Sequence, residues 1–568
     1  MTAYDGLNPS SALAKVMVDE LARCGVTDFV IAPARWCAPL AQAAFMHPGL
    51  STHVRYDDRS AGFLALGLSR ASGRPVPVTC APGTAAANLH PAVLEAAHSH
   101  VPLVILTADR PPEQRGTGAN QTTDQIKLYG GAVSWFAEVG VPELRADSNA
   151  YWRTVICRAV AASAAGPVHL NIALRDPLAF DGADQPLPSA LDGRKGGRPW
   201  TVASAGTHPE VPVFLDISRR GVVVAGDHSE DPAAVVAFAE TAGWPLLAEP
   251  HSNARYGPNA IGAYVDLMTH TPTRTRLLPE MVLTVGKPGL SPAVLALLTS
   301  AETHIAVDPH LEWADPVRSA TQVLHTLPRL DGHAPPQWLE AWQTADRTAR
   351  AALDDLLDQP QLSEPRILRD VLRLIPRDSL CLIGASMPIR DADRAMWPRQ
   401  GPRIITNRGL NGIDGAVSTA VGAALAENAN QHGRTYAVLG DLSLLHDLNG
   451  LFVGALQPRP ELTIIVINNN GGGIFSMIDS TQQAVGFEEL FGTPHNARLA
   501  DIAAAANWCY ETAATPDELP ALLPAAGPCL IELRTDRVEN AAFHREMHRR
   551  VEAALEKSAI RGSVRTKR

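Results

Sequence analysis

Oxygen-bearing residues follow two apolar runs in the last third of the chain. The runs at 436–439 and 462–467 are typical of buried parallel strands, and polar residues come directly after each. Asp441 follows the first run and Asn469 the second. Because ligands bind at the carboxyl ends of neighbouring strands in an open parallel sheet, we expect these side chains to meet there. Their hard oxygen atoms suit Mg²⁺ or Ca²⁺.

Three glycines, at 471–473, follow Asn469 and Asn470 directly. Without side chains they let the backbone approach a phosphate, and their amides can point at it. A lone Gly-Asp pair is most often a turn, but the pair Gly440-Asp441 together with the asparagines and glycines favours a cofactor site. The arrangement resembles the metal-diphosphate motif of thiamine diphosphate enzymes. That resemblance implies Asp441, Asn469 and Gly471 as metal ligands, and Gly440, Gly472, Ile474 and Phe475 as cofactor-binding residues.

The 568-residue chain is long enough for three or four domains with full cores. A net charge of −10, without a basic stripe carrying aromatic residues, argues against nucleic-acid binding and favours a small-molecule substrate. The seven cysteines fall singly in apolar contexts, which is typical of reduced core residues in a cytoplasmic enzyme. Neither a signal-peptide pattern nor an apolar run of about 18 residues occurs, so we expect no membrane span.

Short apolar runs alternate with Ala/Leu-rich stretches in the first third of the chain, which predicts an α/β domain with a parallel sheet over residues 1–185. The apolar runs are 29–31, 76–79, 103–106 and 168–172, and the helical stretches include 60–69 and 85–99. Residues 181–212 are rich in proline, glycine and charge. We therefore expect a linker there.

Two further α/β domains are predicted. Strand-like runs at 222–225, 246–248, 281–285 and 304–307 indicate a central domain over residues 208–335. The third domain, 360–545, carries Asp441 and Asn469. Its last strand follows Gly527-Pro528, as the last strand of the first domain follows Gly166-Pro167, which indicates that the two domains are duplicates of one fold. We expect residues 546–568 to form a basic, solvated tail.

Several stretches resemble one family of thiamine diphosphate enzymes. They are residues 106–125, 384–391, 406–425, 440–451 and 468–475. In these stretches the chain resembles a divergent member of the MenD family, the 2-succinyl-5-enolpyruvyl-6-hydroxy-3-cyclohexene-1-carboxylate synthases of menaquinone biosynthesis. The resemblance implies thiamine diphosphate held by Mg²⁺, Mn²⁺ or Ca²⁺, decarboxylation of 2-oxoglutarate, and transfer of the succinyl carbanion equivalent to isochorismate. It also implies a homodimer or homotetramer with sites between subunits.

The resemblance carries further cofactor residues. Asp58 matches a Glu that holds the aminopyrimidine ring, and one methylene less removes about 1.5 Å of reach. Alternatively, Asp58 only caps the helix that begins at Ser60. Gly83 and Thr84 match cofactor-binding positions. Ile413 matches the residue that props the bent cofactor, although plain core packing is an equal alternative for it.

The donor side of the family pattern is intact. Ser386, Arg390 and Arg408 match residues that hold the distal carboxylate of 2-oxoglutarate. Guanidinium groups bind carboxylates through paired, charge-assisted hydrogen bonds. Two arginines therefore select a dicarboxylic 2-oxo acid over pyruvate, unless they are solvated surface charges.

The acceptor side departs from the family pattern. Arg110, Asn120 and the catalytic candidate Gln121 match, but Arg35 and Trp36 stand where the family has a Ser-Arg pair that meets isochorismate. A slip of one register would give Arg35 the arginine's role, and Trp36 as mere packing is the other alternative. An indole there would favour an acceptor with a flat or apolar face.

These residues predict an enzyme of three parallel-sheet α/β domains, of the thiamine diphosphate type. The substitution at Trp36 favours transfer of the four-carbon unit to an acceptor other than isochorismate. Two alternatives stay open: an authentic menaquinone-pathway synthase, and a catalytically weak cofactor-binding or regulatory homologue.

Overall fold

The computed structural model describes residues 7–178, 187–203, 212–227, 231–310, 313–430, 433–478, 482–523 and 526–565. Its contacts divide the chain into two compact units. The first comprises Met1–Thr207, Asn407–Arg434 and Ser443–Leu462, and the second comprises His208–Thr406, Thr435–Leu442 and Thr463–Arg568.

A six-stranded parallel sheet forms the core of the first unit. Its strands are β1 (Asp28–Ile31), β2 (Ser51–Val54), β3 (Val76–Cys80), β4 (Leu103–Asp109), β5 (Trp135–Glu138) and β6 (Val168–Ala173). They are arranged in the order β2-β1-β3-β4-β6-β5. The four strands expected here are confirmed. β2 and β5 were not predicted. Both are edge strands that are only partly buried, and such strands do not need a continuous apolar run.

Two helices of the first unit pack closely where glycines leave room for the backbone of the partner helix. The helices of this unit are Pro9–Arg23, Ala38–Met46, Asp58–Ser72, Thr84–Asn88, His90–His98, Ser148–Ser163 and Ala416–Ala429. A Cβ atom at Gly67 would lie 2.0 Å from the carbonyl oxygen of Thr419, and one at Gly422 would lie 2.2 Å from that of Leu64. Only glycine permits this contact between Asp58–Ser72 and Ala416–Ala429.

The stretch 85–99 differs from its prediction as one helix. It forms two helices that meet at Leu89, and Pro91 lies in the first turn of the second. Proline lacks an amide hydrogen and fits only the first turn, so the preceding helix cannot run through this position.

The central sheet of the second unit has five parallel strands in the order β12-β11-β10-β8-β9. These are β8 (Gly221–Ala225), β9 (Leu246–Ala248), β10 (Met281–Val285), β11 (Thr303–Val307) and β12 (Gln322–Leu324). β7 (Phe214–Asp216) pairs separately with β13 (Arg329–Asp331). The four strands predicted for the central domain are confirmed.

A third sheet, also in the second unit, repeats the first. Its strands are β14 (Leu380–Ile383), β15 (Arg403–Ile405), β16 (Thr435–Gly440), β17 (Leu462–Asn468), β18 (Cys509–Ala513) and β19 (Cys529–Arg534). Their order, β15-β14-β16-β17-β19-β18, is the order of the first sheet when strands are numbered from the start of each. The predicted duplication of the fold is confirmed.

The remaining helices include the C-terminal one, which replaces the expected tail. They are Pro232–Ala242, Tyr264–Thr269, Thr271–Arg276, Pro292–Ser300, Pro336–Leu357, Glu364–Leu374, Met387–Ala395, Asp441–His446, Leu499–Ala505, Leu519–Leu522 and Arg537–Arg565. Met547, Val551 and Leu555 are buried in the hydrophobic core of the second unit. The prediction of a solvated tail from residue 546 was wrong. The basic residues of this segment alternate with apolar residues at helical spacing, and these form one apolar face of the helix. Among the residues described, none of the helices combines the length and the apolar composition that a membrane span needs.

Candidate cofactor and substrate site

The carboxyl ends of β16 and β17 bring the predicted metal ligands of the second unit together. Asp441 begins a helix directly after β16, and the glycines follow β17. The backbone amide of Gly471 donates a hydrogen bond to Oδ2 of Asp441 at 2.9 Å. The two strand ends therefore meet, as the sequence predicted.

Asp441 is buried and held by two further groups. Its Oδ1 accepts from the amide of Leu442 at 2.7 Å. Its Oδ2 lies 3.1 Å from Nε2 of His495, a residue that the sequence analysis did not select. These contacts fix the orientation of the carboxylate, which is what a metal ligand requires.

Asn469 offers an acceptor atom without a partner. Its Nδ2 donates to Oε1 of Glu364 at 2.9 Å. Its Oδ1 is buried and has no hydrogen-bond partner in the described part of the chain. A buried, unsatisfied oxygen beside a carboxylate fits a site for a hard divalent cation.

Carboxyl groups cluster behind these ligands. Burial, followed by the nearby carboxylate of Asp391, raises the pKa of Glu364 to about 8, and Asp441 adds to the effect. Glu364 also accepts a hydrogen bond from Thr535. A divalent cation would relieve the repulsion in this cluster.

The glycines have a different role from the one predicted. The amide of Gly472 donates to the carbonyl of Gly492 at 2.8 Å, and the amide of Gly473 donates to that of Gly471 at 3.0 Å. With the Gly471 amide on Asp441, none of the three points freely at a phosphate. A Cβ atom at Gly471 would lie 1.9 Å from the carbonyl oxygen of Gly492. Gly471 and Gly472 are needed because the backbone at Phe491 and Gly492 packs on them, whereas Gly473 makes room for the side chain of Asn469.

Gly440 is the open position instead. A Cβ atom there would meet nothing within 4 Å, so the backbone at the end of β16 is accessible to a ligand group. Ile474 and Phe475 lie in a 3-10 turn, Gly473–Met477. The Phe475 ring packs 5.5 Å from the ring of Phe491, measured between centroids.

Ser386 and Arg390 lie at the same edge of the third sheet, after β14. Ser386 has the unusual backbone angle φ of 72° directly before the helix Met387–Ala395. Nη1 of Arg390 donates to the backbone carbonyl of Ser386 at 2.5 Å. The strained backbone of a non-glycine residue is a feature of many ligand sites.

Asp58, in the first unit, lines a cavity of about 530 Å³. The other lining residues are Tyr56, Asp57, Arg59, Asn88, Asn449 and Phe452. Asp57, and not Asp58, caps the helix, since its Oδ1 accepts from the amide of Ser60 at 2.9 Å. Burial, with a smaller effect of Asp57, raises the pKa of Asp58. The capping alternative for Asp58 is therefore wrong, and its carboxyl group faces a cavity.

Gly83 and Gln121 lie against each other in the first unit. A Cβ atom at Gly83 would be 3.4 Å from Cα of Gln121, and both residues have a positive φ. The Gly83 amide donates to Oε1 of Gln125 at 2.8 Å. Gln125 is buried and was not selected from the sequence. Thr84 follows as the first residue of the helix Thr84–Asn88.

The candidate acceptor residues separate into two groups. Trp36 is buried in the core of the first unit, with the guanidinium carbon of Arg110 3.9 Å from its ring centroid. Arg110 also donates to the backbone carbonyl of Asn120 at 3.0 Å. Arg35 is largely exposed and pairs with Asp176 at 2.7 Å. Trp36 therefore supports Arg110 and offers little surface to an acceptor, contrary to our expectation.

The loop that carries Arg408 and Ile413 is held by Glu95. Oε1 of Glu95 accepts from the amide of Gly409 at 2.7 Å, and Oε2 accepts from that of Leu410 at 2.8 Å. Arg408 is buried, whereas Ile413 is only partly buried, so Ile413 is not a plain core residue. Nothing in the local sequence pattern indicated Glu95, since it lies on a helix far from the loop along the chain.

All seven cysteines are free thiols. Five are buried, as expected, but Cys24 is partly exposed and Cys509 is exposed. The expectation that all seven are core residues is therefore wrong for these two.

Comparisons with known proteins identify the family of the chain. Residues 12–128 match the N-terminal TPP binding domain of thiamine pyrophosphate enzymes, residues 198–383 the middle domain, and residues 386–533 the C-terminal TPP binding domain. The chain is similar to curated proteins named 2-succinyl-5-enolpyruvyl-6-hydroxy-3-cyclohexene-1-carboxylate synthase. The one from Thermobifida fusca (strain YX) is 50% identical over 554 residues, with 97% of this chain and 100% of the relative covered.

More distant relatives carry the same name. The protein of Saccharopolyspora erythraea is 42% identical, with 97% of this chain and 100% of the relative covered. The protein of Chloroflexus aurantiacus is 38% identical, with 96% and 97% covered. The chain therefore belongs to the MenD family of thiamine diphosphate-dependent enzymes, which use a divalent metal ion, decarboxylate 2-oxoglutarate and transfer the succinyl unit.

Proposed function

We propose that this protein is a 2-succinyl-5-enolpyruvyl-6-hydroxy-3-cyclohexene-1-carboxylate synthase, with isochorismate as its acceptor. The observation that carries the proposal is full-length similarity at 50% identity to a relative of that name. The sequence analysis favoured another acceptor because Trp36 replaces a family arginine. The burial of Trp36 under Arg110 supports the opposite choice, since the substitution leaves a guanidinium group on that side.

The residues at the strand ends of the third sheet would hold the metal and the diphosphate. When bound, thiamine diphosphate supplies an electron sink for the decarboxylation of a 2-oxo acid. Asp441 and Oδ1 of Asn469 would bind the cation, together with the carbonyl of Gly471. The open backbone at Gly440 leaves room for the diphosphate. Asp58, whose raised pKa favours a shared proton, would hold the ring nitrogen of the cofactor.

Donor recognition would rest on positive charge. Arg390 and Arg408 would bind the distal carboxylate of 2-oxoglutarate, and Ser386 would add a hydroxyl donor. On the acceptor side, Arg110 would meet a carboxylate of isochorismate, with its side chain held by the Trp36 ring and the carbonyl of Asn120. Gln121 would complete this side. A cytoplasmic homo-oligomer with sites between subunits is part of the proposal.

The test is a product assay with purified protein, Mg²⁺, thiamine diphosphate, 2-oxoglutarate and isochorismate, followed by mass spectrometry. We expect the adduct of the succinyl unit and isochorismate as the main product. Asp441→Ala should abolish product and, by calorimetry, metal-dependent cofactor binding, while the circular dichroism spectrum stays native. Unchanged cofactor affinity in that variant would show that the metal assignment is wrong.

A different acceptor is the second candidate, and the pairing of Arg35 with Asp176 favours it. Arg35 would have to break its ion pair with Asp176 before it could take the place of the missing family arginine. In this case the assay would give succinic semialdehyde from 2-oxoglutarate and little adduct. Trp36→Arg would then increase adduct formation. Robust adduct from the wild-type protein would exclude this candidate.

A further inference from the structure

Two cysteines of the first unit contact each other away from the candidate cofactor residues. Cys24 ends the helix Pro9–Arg23, and Cys157 lies in the helix Ser148–Ser163. Their sulfur atoms are 3.9 Å apart. A disulfide bond is about 2.05 Å long, so the two sulfurs need to approach by roughly 1.9 Å to form one.

Cys157 is surrounded by polar groups rather than by apolar side chains alone. The backbone amide of Thr201 donates to its sulfur at 3.3 Å. The Cys157 thiol itself donates to Oε1 of Glu20 at 3.2 Å. The hydrogen bond from Cys24 lowers the pKa of Cys157, and that from Thr201 acts in the same direction, against the effects of burial and Glu20. Thr201 and Cys24 are thus two groups that can donate to a Cys157 thiolate.

Access to the pair is through Cys24. Cys24 is partly exposed, whereas Cys157 is buried. The residues pack on different helices, so a bond between them would tie the first helix of the chain to Ser148–Ser163. Small oxidants can reach such a site from the Cys24 side, and the second sulfur is already in van der Waals contact.

Glu20 brings a carboxylate to the same place, but a metal centre does not fit. Its Oε2 pairs with the buried guanidinium group of Arg153 at 2.7 Å. Its Oε1 accepts from the amide of Trp200 at 2.5 Å and also contacts Cys157. The guanidinium group of Arg153 therefore already balances the charge of the Glu20 carboxylate, which removes the attraction for a cation. Two thiols remain as the reactive groups.

We propose that Cys24 and Cys157 form an oxidisable thiol pair that a peroxide converts to an intramolecular disulfide. The Cys157 thiolate attacks one oxygen of hydrogen peroxide, the O–O bond breaks, and a sulfenic acid and hydroxide form; the hydroxide takes up the thiol proton as water. The Cys24 sulfur then attacks the Cys157 sulfur, and the S–O bond breaks. The departing hydroxide leaves as water with the Cys24 proton. Two thiols are oxidised and one peroxide is reduced to two waters.

The bond would form where residues 194–201 pack against the end of the helix Pro9–Arg23, within the first unit. Arg23, next to Cys24, donates to the carbonyl of Arg194 at 2.8 Å. Trp200 and Thr201 donate to Glu20 and Cys157. Oxidation therefore changes the acceptor of the Thr201 amide from a thiol or thiolate to a weakly accepting disulfide. The packing of residues 194–201, which precede the second unit in the chain, therefore becomes sensitive to peroxide through the Thr201 hydrogen bond.

The experiment is non-reducing peptide mapping of the full-length protein after mild hydrogen peroxide treatment and alkylation of the remaining thiols. We expect a cross-linked peptide pair containing Cys24 and Cys157, lighter by two hydrogen atoms than the sum of its parts and released by dithiothreitol. Cys509→Ser serves as the matched control, because Cys509 is exposed. The cross-link should persist in this variant.

Two substitutions identify the order of reaction. In Cys24→Ser, Cys157 should stop at a sulfenic acid that dimedone captures. In Cys157→Ser, neither the cross-link nor a trapped Cys24 should appear at the same peroxide dose. Circular dichroism confirms that each variant is folded. If peroxide oxidises Cys509 but leaves the thiols of Cys24 and Cys157 open to alkylation after denaturation, the proposal is wrong; a cross-link to a different cysteine also overturns it.

Discussion

Nε2 of His495 lies 3.1 Å from Oδ2 of Asp441, the acidic residue proposed as a metal ligand. The imidazole is mostly buried, and its Nδ1 accepts a hydrogen bond from the amide of Ala497 at 3.0 Å. Both ring nitrogens are therefore used, and the ring has a fixed orientation toward the carboxylate.

This contact predicts a role for His495 in metal affinity. Hydrogen-bonding partners of metal-binding carboxylates commonly contribute about ten- to a hundredfold to affinity. We expect His495→Ala to weaken Mg²⁺ binding by about tenfold or more in calorimetric titrations with thiamine diphosphate present. His333→Ala, at an exposed position, is the matched control and should leave affinity unchanged. Equal affinities for all three proteins would show that His495 does not orient Asp441.

The donor arginines give a prediction on substrate choice. Each charge-assisted hydrogen bond is worth about 1.5 to 3 kcal/mol, which is roughly ten- to a hundredfold in binding. Arg390→Ala or Arg408→Ala should raise the KM for 2-oxoglutarate by about that factor in a decarboxylation assay. The weak use of pyruvate should change little, because pyruvate has no distal carboxylate. Parallel losses for both donors would instead indicate a structural role.

Glu95 should control the loop that carries Arg408. Glu95→Gln replaces one acceptor oxygen by an amide donor, so either Gly409 or Leu410 faces a donor in a buried place, at a cost of about 1 to 3 kcal/mol. We expect faster hydrogen exchange at these two amides and a higher KM for 2-oxoglutarate. Ser99→Ala removes the other partner of Glu95 and should affect neither measurement. Slow exchange in Glu95→Gln would contradict the assignment.

His169 should make the first unit sensitive to acid. Burial lowers the pKa of His169 to about 3, and its Nε2 bonds to the hydroxyl of Thr107 at 2.7 Å. Since the unfolded chain takes up the proton at a pKa of about 6.5, stability is complete above that pH and falls as the pH falls below it. Between pH 6.5 and pH 5 the loss is about 2 kcal/mol.

The test of this pH dependence compares urea unfolding midpoints at pH 7 and pH 5. His169→Gln keeps a polar partner for Thr107 but does not gain a proton, so its midpoint should fall less than that of the wild-type protein. His333→Gln should behave as the wild type does. An identical fall in all three would assign the acid sensitivity to other groups.

The sequence by itself determined the fold class and the meeting of two strand ends at which we propose a metal site. Continuous apolar runs predict buried parallel strands because both faces of such a strand are covered. Polar residues after two neighbouring strands must then lie at one edge, which is why Asp441 and Asn469 were found from their spacing. The duplication was also visible, in Gly166-Pro167 and Gly527-Pro528.

Contacts between distant parts of the chain were decided only by the tertiary structure. The cap of Asp58–Ser72 is Asp57, since small backbone rotations choose between adjacent carboxylates. The carbonyl of Gly492 accepts the hydrogen bond from the amide of Gly472, and the carboxylate of Glu95 accepts from the amide of Gly409. Local patterns report which residues are apolar and at what period, but not which distant polar group satisfies a given amide. That choice follows from close packing, in which every buried donor needs an acceptor.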